Sequence, residues 1–309
     1  MNQTGPEIGQ AATRIGFIGM GHMGSSMTRR LLAAGYPVLV QDRTAARAKE
    51  AAQWGATAAQ TPKELAANSQ VVMVCVTNDE AQHAVMFGPN GALAGLRPGS
   101  TVIDLSTVSP GASRRLHQAA AEQGASMIDA AVSGSVPQVE QGSLVIFVGG
   151  EKETYESCKP ILDALGHQSF YMGASGMGTT MKLVVNTLLG LGMQALAEAI
   201  ALGQKAGIEK GLLLDILGQT YVLNPSQKSK LENVRREQYP TNFALSLMHK
   251  DFDLVLREAH ALSVAMPATA AAQQMSVAAT AEGLEGDFSI MIKFMEDVAI
   301  GTSPLRKTP

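Results

Sequence analysis

Three glycines follow a short apolar run near the start of the chain. Gly19, Gly21 and Gly24 stand in the spacing G-x-G-x-x-G after Ile15–Ile18, and a helical pattern begins directly after them. A sharp strand-to-helix turn needs the first glycine, and close packing of that helix on the strand needs the third. The second lets another molecule approach the backbone, where the free N–H groups of a helix start favour an anion. The segment therefore predicts a βαβ unit with an anion-binding turn.

Short apolar runs alternate with helical stretches over the first half of the chain. Their richness in Val and Ile is typical of strands buried on both faces. The predicted strands are Ile15–Ile18, Pro37–Gln41, Val71–Val76, Thr101–Leu105, Met127–Ala131 and Leu144–Val148, with a further edge strand near Ser169–Met172. Predicted helices between them include Ser25–Ala34, Ala45–Gln53 and Gly111–Gln123. This alternation predicts an α/β fold with a doubly wound, mostly parallel sheet of the Rossmann type.

The second half of the chain is predicted to be all-helical. Apolar residues recur at helical spacing from 176 to 206 without a proline. Further helices are predicted at Gly211–Gln219, Ser226–Arg236, Leu245–Leu262, Pro267–Glu282 and Ser289–Ile300. We expect a flexible tail at 1–13, a Rossmann domain at 14–173 and a helical substrate and dimerisation domain at 174–309. Because the long helix has more apolar surface than a small domain covers, we predict a homodimer or homotetramer.

Composition excludes several classes of protein. Of the 309 residues, 46% are hydrophobic and 17% charged, which is typical of a globular protein. The formal net charge of −3 and the lack of basic runs argue against a nucleic-acid partner. Two cysteines, Cys75 and Cys158, are too few for a disulfide framework and fit a reducing cytoplasm. We expect no signal peptide, no apolar run of about 18 residues to cross a membrane, and no metal site.

The residues after the second predicted strand point to two different dinucleotides. Asp42 lies about 20 positions beyond the glycines, where a carboxylate can bind a ribose hydroxyl and would repel a 2′-phosphate. Arg43 and Thr44 follow it, and a guanidinium with a hydroxyl can bind that phosphate. The residues themselves leave NAD and NADP open.

Four separated motifs resemble those of the β-hydroxyacid dehydrogenases, at 19–27, 129–135, 173–186 and 250–251. This family includes 3-hydroxyisobutyrate dehydrogenase, tartronate semialdehyde reductase and the glyoxylate/succinic semialdehyde reductases. The resemblance runs from about residue 14 to about residue 300. It implies an NAD(P)-dependent oxidoreductase that transfers a hydride between the nicotinamide and a small β-hydroxy acid or semialdehyde, or a glyoxylate-type oxo acid.

The second motif departs from the usual D-x-P-V-S-G-G of the family. Ala131 replaces the proline and Ser135 replaces the second glycine. Ser-Gly-Ser followed by Pro137 is more similar to the glyoxylate and succinic semialdehyde reductases. Those enzymes generally use NADPH and carry Asn-Arg-Thr/Ser where this chain has Asp-Arg-Thr at 42–44. The resemblance therefore favours NADP(H), with NAD(H) as the alternative.

Lys182 and Asn186 are the candidate catalytic pair. They are four residues apart on a predicted helix and so share one face. An ammonium group can donate the proton that a developing alkoxide needs, and an amide can hold the substrate or the lysine. The resemblance implies that Lys182 is the general acid in reduction and the base in oxidation.

A small carboxylate-bearing substrate is expected at a second group of residues. Ser133, Gly134 and Ser135 offer backbone N–H groups and hydroxyls to an anion, with Ser133 also in the catalytic set. Lys250 is predicted to close the site near substrate or cofactor. Ser106 and Thr107 either contact the nicotinamide or cap the helix that starts near Pro110. The predicted cofactor residues are Gly19, Met20, Gly21, His22, Met23, Gly24, Asp42, Arg43, Thr44, Val76, Thr77, Ser106, Thr107 and Lys250.

Two other functions are compatible with a dinucleotide-binding fold. Imine reductases resemble this family in fold and cofactor loop, but they typically lack the lysine found here at Lys182. A non-catalytic dinucleotide-binding protein is disfavoured by the Lys182–Asn186 pair and the Ser-Gly-Ser loop.

Overall fold

An eight-stranded sheet organises the first half of the chain in a computed structural model that describes residues 13–301. The predicted tail at 1–13 lies outside the described residues except for Thr13. The strands are β1 Ile15–Ile18, β2 Val38–Gln41, β3 Thr57–Ala58, β4 Val71–Val74, β5 Thr101–Asp104, β6 Ser126–Ser133, β7 Leu144–Gly150 and β8 Gly166–Gly173. Their order is β3-β2-β1-β4-β5-β6-β7-β8, and every neighbouring pair is parallel except β6 with β7.

Helices cover both faces of this sheet. They are α1 His22–Ala33, α2 Ala45–Ala52, α3 Pro62–Ala67, α4 Asp79–Phe87, α5 Pro110–Glu122, α6 Val136–Glu140 and α7 Lys152–Leu165. Alternate residues of one strand enter different cores, since Phe17 packs in the cluster with Leu31 of α1 and Ile18 in the cluster with Leu116 of α5. The doubly wound, mostly parallel sheet is thus confirmed.

Two details of the first half differ from the predictions. β4 ends at Val74, so Val76 lies in the loop after the strand. The edge strand β3 was missed because its two residues, Thr57 and Ala58, are exposed and too few to form an apolar pattern.

Seven helices build the described part of the second half, as predicted in kind. They are α8 Met177–Lys205, α9 Lys210–Gln219, α10 Pro225–Lys228, α11 Leu231–Arg235, α12 Leu245–Ala261, α13 Pro267–Ala281 and α14 Met291–Ile300, with a 3-10 turn at Phe288–Ile290. The prediction of a single helix over Ser226–Arg236 is wrong, because the helix is interrupted between α10 and α11. Lys230 lies at this break, and its buried ammonium is 2.9 Å from Asp287 Oδ2.

Asp287 organises the loops around this break. It accepts hydrogen bonds from Lys230 Nζ, from the backbone N–H groups of Asn242 and Phe243, and from Ser289. Burial alone would raise the pKa of this carboxyl, but the bonds from Ser289 and Lys230 outweigh it and lower the pKa below 3.8. The carboxylate therefore stays ionised inside the helical unit.

The chain divides into two compact units, one up to Leu183 and one from Val184. The division falls inside α8, so the first residues of this helix belong with the sheet and the rest with the other helices. The domain limits of 14–173 and 174–309 stay predictions.

Helix α8 corrects one expectation about apolar runs. Its 29 residues contain an 18-residue window of mean hydropathy 1.5, which by length and composition could cross a membrane. The sequence-based prediction that no such run occurs is therefore wrong. Since 44% of the window is buried within the protein, and core helices pass the same criterion, this feature is weak support for a membrane span.

One face of α8 is an exposed apolar stripe. The side chains of Leu188 and Leu202 are 70% and 72% exposed, and Val184 is exposed as well. Spacings of three or four residues place them on one side of the helix. We define the α8 stripe as Val184, Leu188, Leu191, Ala195, Ala199 and Leu202, of which Leu191 is half-buried against the helical core. A second copy of the chain is the proposed partner, as predicted from the length of the helix.

We predict that the protein is a homodimer or homotetramer and that Leu188→Asp with Leu202→Asp lowers the oligomeric state, because charges on the α8 stripe would be desolvated at the interface. Light scattering during gel filtration at micromolar concentration measures the mass. Leu262→Asp, at an exposed leucine outside the stripe, is the control and should leave the mass unchanged. A monomeric parent protein would contradict the prediction.

Candidate active site

Six parallel strands of the first unit, β1 to β6, end at the same edge of the sheet. The chain leaves β1 toward β2 on one side and passes to β4 on the other, and in such sheets ligands bind where the strand order reverses. Most predicted site residues of this unit follow these strand ends. They include Gly19 after β1, Asp42 after β2, Val76 after β4, Ser106 after β5 and Ser133 at the end of β6.

The turn after β1 has no room for a side chain at Gly19 or at Gly24, the first and third glycines of the motif. Gly19 has a φ of +100°, and a Cβ there would lie 2.2 Å from the Cys75 carbonyl oxygen. A Cβ on Gly24 would lie 1.9 Å from the Gly19 carbonyl oxygen. These contacts explain the first and third glycines as requirements of the turn itself.

Gly21 differs because a Cβ there would meet nothing within 4 Å. It precedes α1 without a side-chain hydrogen bond to the helix start, and the first turn of α1 has no acidic residue. The start of α1 is therefore uncapped, and there is open space beside Gly21 at the positive end of the helix dipole. His22 is exposed and Met23 half-buried at this helix start. This cradle fits the pyrophosphate of a dinucleotide.

Asp42 holds the glycine turn in place. One carboxylate oxygen accepts the Met20 N–H at 2.7 Å and the other accepts the Thr44 N–H at 2.7 Å. The Met20 side chain is buried, and its carbonyl accepts the Ser25 hydroxyl. Both Asp42 oxygens and the polar groups of Met20 are thus used within the protein, which sequence reasoning did not foresee.

The residues after Asp42 are open to solvent. Arg43, Thr44 and Arg47 are all exposed. Thr44 precedes α2 without capping it through its hydroxyl, and α2 has no acidic residue in its first turn. This helix start therefore offers a hydroxyl and two guanidinium groups to an anion.

Ser106 links two strand-end loops. Its hydroxyl oxygen accepts the Val76 N–H at 3.0 Å, so two predicted cofactor residues lie together, with Thr77 exposed beside them. The helix cap considered for Ser106 and Thr107 belongs to Ser109, whose Oγ accepts the Ala112 N–H at 3.1 Å.

Asp104 lies behind these loops at the end of β5. It is 1% exposed and accepts hydrogen bonds from the Ser106 N–H at 3.0 Å and from Gln82 Nε2 at 2.5 Å. Burial raises the pKa of its carboxyl to about 6, the bonds from Ser106 and Gln82 oppose the rise, and Asp129 on β6 adds to it. Burial, together with Asp104, also raises the pKa of the Cys75 thiol to about 12, so this thiol stays protonated at neutral pH.

The predicted substrate loop is partly closed by a residue that sequence reasoning missed. Ser133 is the last residue of β6, and Gly134 has a φ of +131°. Gln138 Oε1 accepts both the Ser135 N–H at 2.9 Å and the Ser135 hydroxyl at 2.8 Å. The spacing of a serine and a glutamine three apart at a helix start is the signal that could have revealed Gln138. The N–H and the hydroxyl of Ser135, both expected to bind the substrate anion, therefore donate hydrogen bonds within the protein.

The remaining predicted residues lie in or beside α8. Lys182 is half-buried in the first unit, while Asn186 is 1% exposed in the second. Asn186 Nδ2 donates to Asp251 Oδ2 at 2.5 Å, and Lys250 Nζ lies 2.7 Å from Asp251 Oδ1. Asp251 thus brings Asn186 and Lys250 together within the helical unit. Within residues 13–301 no three His, Cys, Asp or Glu side chains are grouped to hold a metal.

Comparisons with known proteins cover both units. Residues 14–173 match a family model described as the NAD binding domain of 6-phosphogluconate dehydrogenase. Residues 176–295 match one described as NAD-binding of NADP-dependent 3-hydroxyisobutyrate dehydrogenase. Together the two models span nearly all of the described chain.

Individual relatives agree with these matches. Glyoxylate/succinic semialdehyde reductase 2, chloroplastic, of Arabidopsis thaliana is 35% identical, over 95% of this chain and 82% of its own. The crystal structure of 3-hydroxyisobutyrate dehydrogenase from Salmonella typhimurium superposes with a TM-score of 0.83 at 27% identity, over 91% of this chain and 99% of that chain. An imine reductase from Pseudomonas sp. matches with a TM-score of 0.59 at 21% identity, over 92% of this chain and 99% of that chain, which is a likeness of fold alone.

We predict that the melting temperature of Asp104→Asn exceeds that of the parent by more near pH 7.5 than near pH 4.5. The change between the two pH values corresponds to about 2 kcal/mol of unfolding free energy. The pKa of about 6 lies above the 3.8 of an ordinary Asp. The bound proton therefore stabilises the fold below about pH 4, and this contribution is lost as the pH rises through 6.

Melting curves of parent and Asp104→Asn across this pH range test the sign. Glu122→Gln, at an exposed position on α5, is the control and should give a flat difference. A difference between Asp104→Asn and the parent that shrinks as the pH rises would contradict the assignment.

Proposed function

The chain belongs to the β-hydroxyacid dehydrogenase family of NAD(P)-dependent oxidoreductases, and on this premise we propose that it reduces a small carboxylate-bearing semialdehyde or glyoxylate-type oxo acid with NADPH. One observation carries the proposal most directly. The loops that bear the cofactor and substrate motifs follow the ends of parallel strands at one edge of the sheet, beside the open helix start at Gly21. A dinucleotide and a small acid bind at such edges.

Lys182 is the proposed proton donor. When bound, the dinucleotide supplies the hydride that reduces the carbonyl carbon. Lys182 Nζ gives its proton to the carbonyl oxygen, which would otherwise become an alkoxide. In the oxidation direction the neutral amine takes the same proton from the substrate hydroxyl. The half-buried position of Lys182 excludes part of the water that would compete for the proton.

Ser133 and Gly134 are the proposed anchors for the substrate carboxylate. The Ser133 hydroxyl and the Gly134 N–H remain as donors, because Gln138 engages both donors of Ser135. Asn186 and Lys250 are proposed to bind substrate or cofactor, as in the family motif, and Asp251 supports both. A small anion suits this limited set of donors better than a large polar substrate.

Lys182→Ala should lower kcat by about 100- to 10,000-fold, since a positioned general acid contributes that much. NADPH affinity, measured by quenching of protein fluorescence, should change less than about twofold because Lys182 is proposed to act on the substrate. Lys205→Ala, at an exposed lysine at the other end of α8, is the matched control. Turnover of Lys182→Ala within threefold of the parent (about 0.7 kcal/mol) would reject this role.

NADPH is the proposed cofactor for a structural reason. Asp42 is the residue that would repel a 2′-phosphate, yet its two oxygens are bonded to the Met20 and Thr44 N–H groups. These bonds offset part of its negative charge. Arg43, Arg47 and the uncapped start of α2 then favour a phosphate.

We predict that the protein oxidises NADPH in preference to NADH, with glyoxylate or succinic semialdehyde ahead of methylmalonate semialdehyde and tartronate semialdehyde. Arg43→Ala should raise KM for NADPH about 10- to 100-fold and leave KM for NADH nearly unchanged, because the lost bonds are made to the 2′-phosphate. Initial rates measure both. Lys49→Ala, on the exposed far end of α2, is the control, and a parent preference for NADH would contradict the proposal.

The location of the protein is also a proposal. Cys75 and Cys158 are free thiols in the structure. Thiols persist in a reducing compartment such as the cytoplasm, and this supports a cytoplasmic enzyme.

A further inference from the structure

A buried carboxylate joins the sheet to the start of α8. Asp129 lies in β6 and is 1% exposed. Its Oδ1 accepts the Gly176 N–H at 2.7 Å. Its Oδ2 accepts the Thr179 N–H at 2.8 Å and the Thr179 hydroxyl at 3.2 Å. All these residues belong to the first unit, so the strand and the first turn of the helix form one hydrogen-bonded assembly.

Two glycines allow this close approach. Gly149 is paired with Asp129 across β6 and β7, and a Cβ on it would lie 2.7 Å from Asp129 Oδ1. A Cβ on Gly178, in the first turn of α8, would lie 2.3 Å from the Phe147 carbonyl oxygen and 2.9 Å from Asp129 Oδ2. The helix start therefore rests directly on the backbone of the sheet, where a side chain on either residue would displace it.

The same carboxylate connects the two segments that carry proposed catalytic residues. Asp129 and Ser133 are four residues apart on β6, so their side chains point to the same face of the sheet. Thr179 and Lys182 are three residues apart on α8, which is less than one turn and about 4.5 Å along the helix axis. Asp129 thus ties the strand that carries Ser133 to the helix turn that leads to Lys182.

We propose that Asp129 is a positioning residue, which fixes the first turn of α8 on β6 and so sets the position of Lys182 relative to Ser133. This inference rests on the proposed role of Lys182. A buried charge costs desolvation, and here three donors at the positive end of a helix offset that cost. Three bonds to one rigid strand restrain the helix in translation and rotation, which a proton donor requires, because a displacement of about 1 Å can cost 100-fold in rate.

Asp129→Asn keeps the size of the side chain but replaces one acceptor oxygen with an amide donor, which would face an N–H group. We expect kcat to fall about 30- to 100-fold while the Kd for NADPH stays within about twofold. Thr179→Val removes only the hydroxyl bond, and kcat should fall about three- to tenfold. This second variant keeps the test open if Asp129→Asn does not fold.

Thr180→Val is the matched control. The Thr180 hydroxyl donates to the carbonyl oxygen of Gly176, just before α8, at 2.7 Å. The substitution makes the same chemical change as Thr179→Val, one residue away. We expect kcat of this variant within about twofold of the parent, because the bonds to Asp129 remain. Equal losses in Thr179→Val and Thr180→Val would overturn the proposal in favour of general destabilisation of α8. Folded Asp129→Asn with parent kcat would also overturn it.

Amide hydrogen exchange over residues 177–183 tests, without reference to turnover, whether the bonds to Asp129 hold the first turn of α8. We call this set of bonds the clamp. Faster exchange in Asp129→Asn and Thr179→Val, with Thr180→Val like the parent, supports the clamp, and unchanged exchange in both overturns it. Lys182→Ala separates this inference from the proposed function. If that variant retains full turnover, the role of Lys182 fails, while the exchange data still decide whether Asp129 holds α8.

Discussion

The parallel pairing of β1 with β2 and β4 is the constraint on which the rest of the first unit depends. It directs successive strand ends to one edge of the sheet, and the site loops follow from that arrangement. The pairing also sets the tight turn into α1, where Gly19 lies against the Cys75 carbonyl and Gly24 against Gly19. With the backbone this close, the helix start cannot shift, and its N–H groups stay directed at the space beside Gly21.

Carboxylates then hold the loops that the sheet has gathered. Asp42, Asp104 and Asp129 each accept a backbone N–H group from another segment of the first unit, and a bond to a charged carboxylate is stronger than one between neutral groups. Asp42 holds Met20, Asp104 holds Ser106, and Asp129 holds Thr179. In the helical unit, Asp251 holds Asn186 and Lys250, while Asp287 holds Lys230 and two backbone N–H groups. These acidic side chains therefore serve to position the groups that donate to them.

Elements with strong periodicity were predictable, whereas elements decided by single contacts were not. The strands Ile15–Ile18 and Leu144–Gly150 are short, largely apolar runs, and the long helix α8 carries apolar residues at helical spacing. The division of α10 from α11 depends on the burial of Lys230 against Asp287, 57 residues away. The residues of the candidate site divide in the same way between local patterns and single contacts. The glycine motif was recognisable from its spacing and Lys182 from the resemblance of its motif to the family, but Gln138 was missed because its bonds to Ser135 depend on the local turn.

The sequence by itself determined the order of strands and helices, the glycine turn and the family of the chain, because local periodicity and motif spacing depend on neighbouring residues. Tertiary structure decided how the polar groups are used. Asp42 was expected to bind a ribose hydroxyl or to repel a 2′-phosphate, and the structure adds that its oxygens accept the Met20 and Thr44 N–H groups. In the sequence, Asp129 is only the first residue of the motif at 129–135. In the structure, it accepts backbone N–H groups at the start of α8. A buried donor or acceptor must find a partner, and the partner is set by which strands and helices lie side by side.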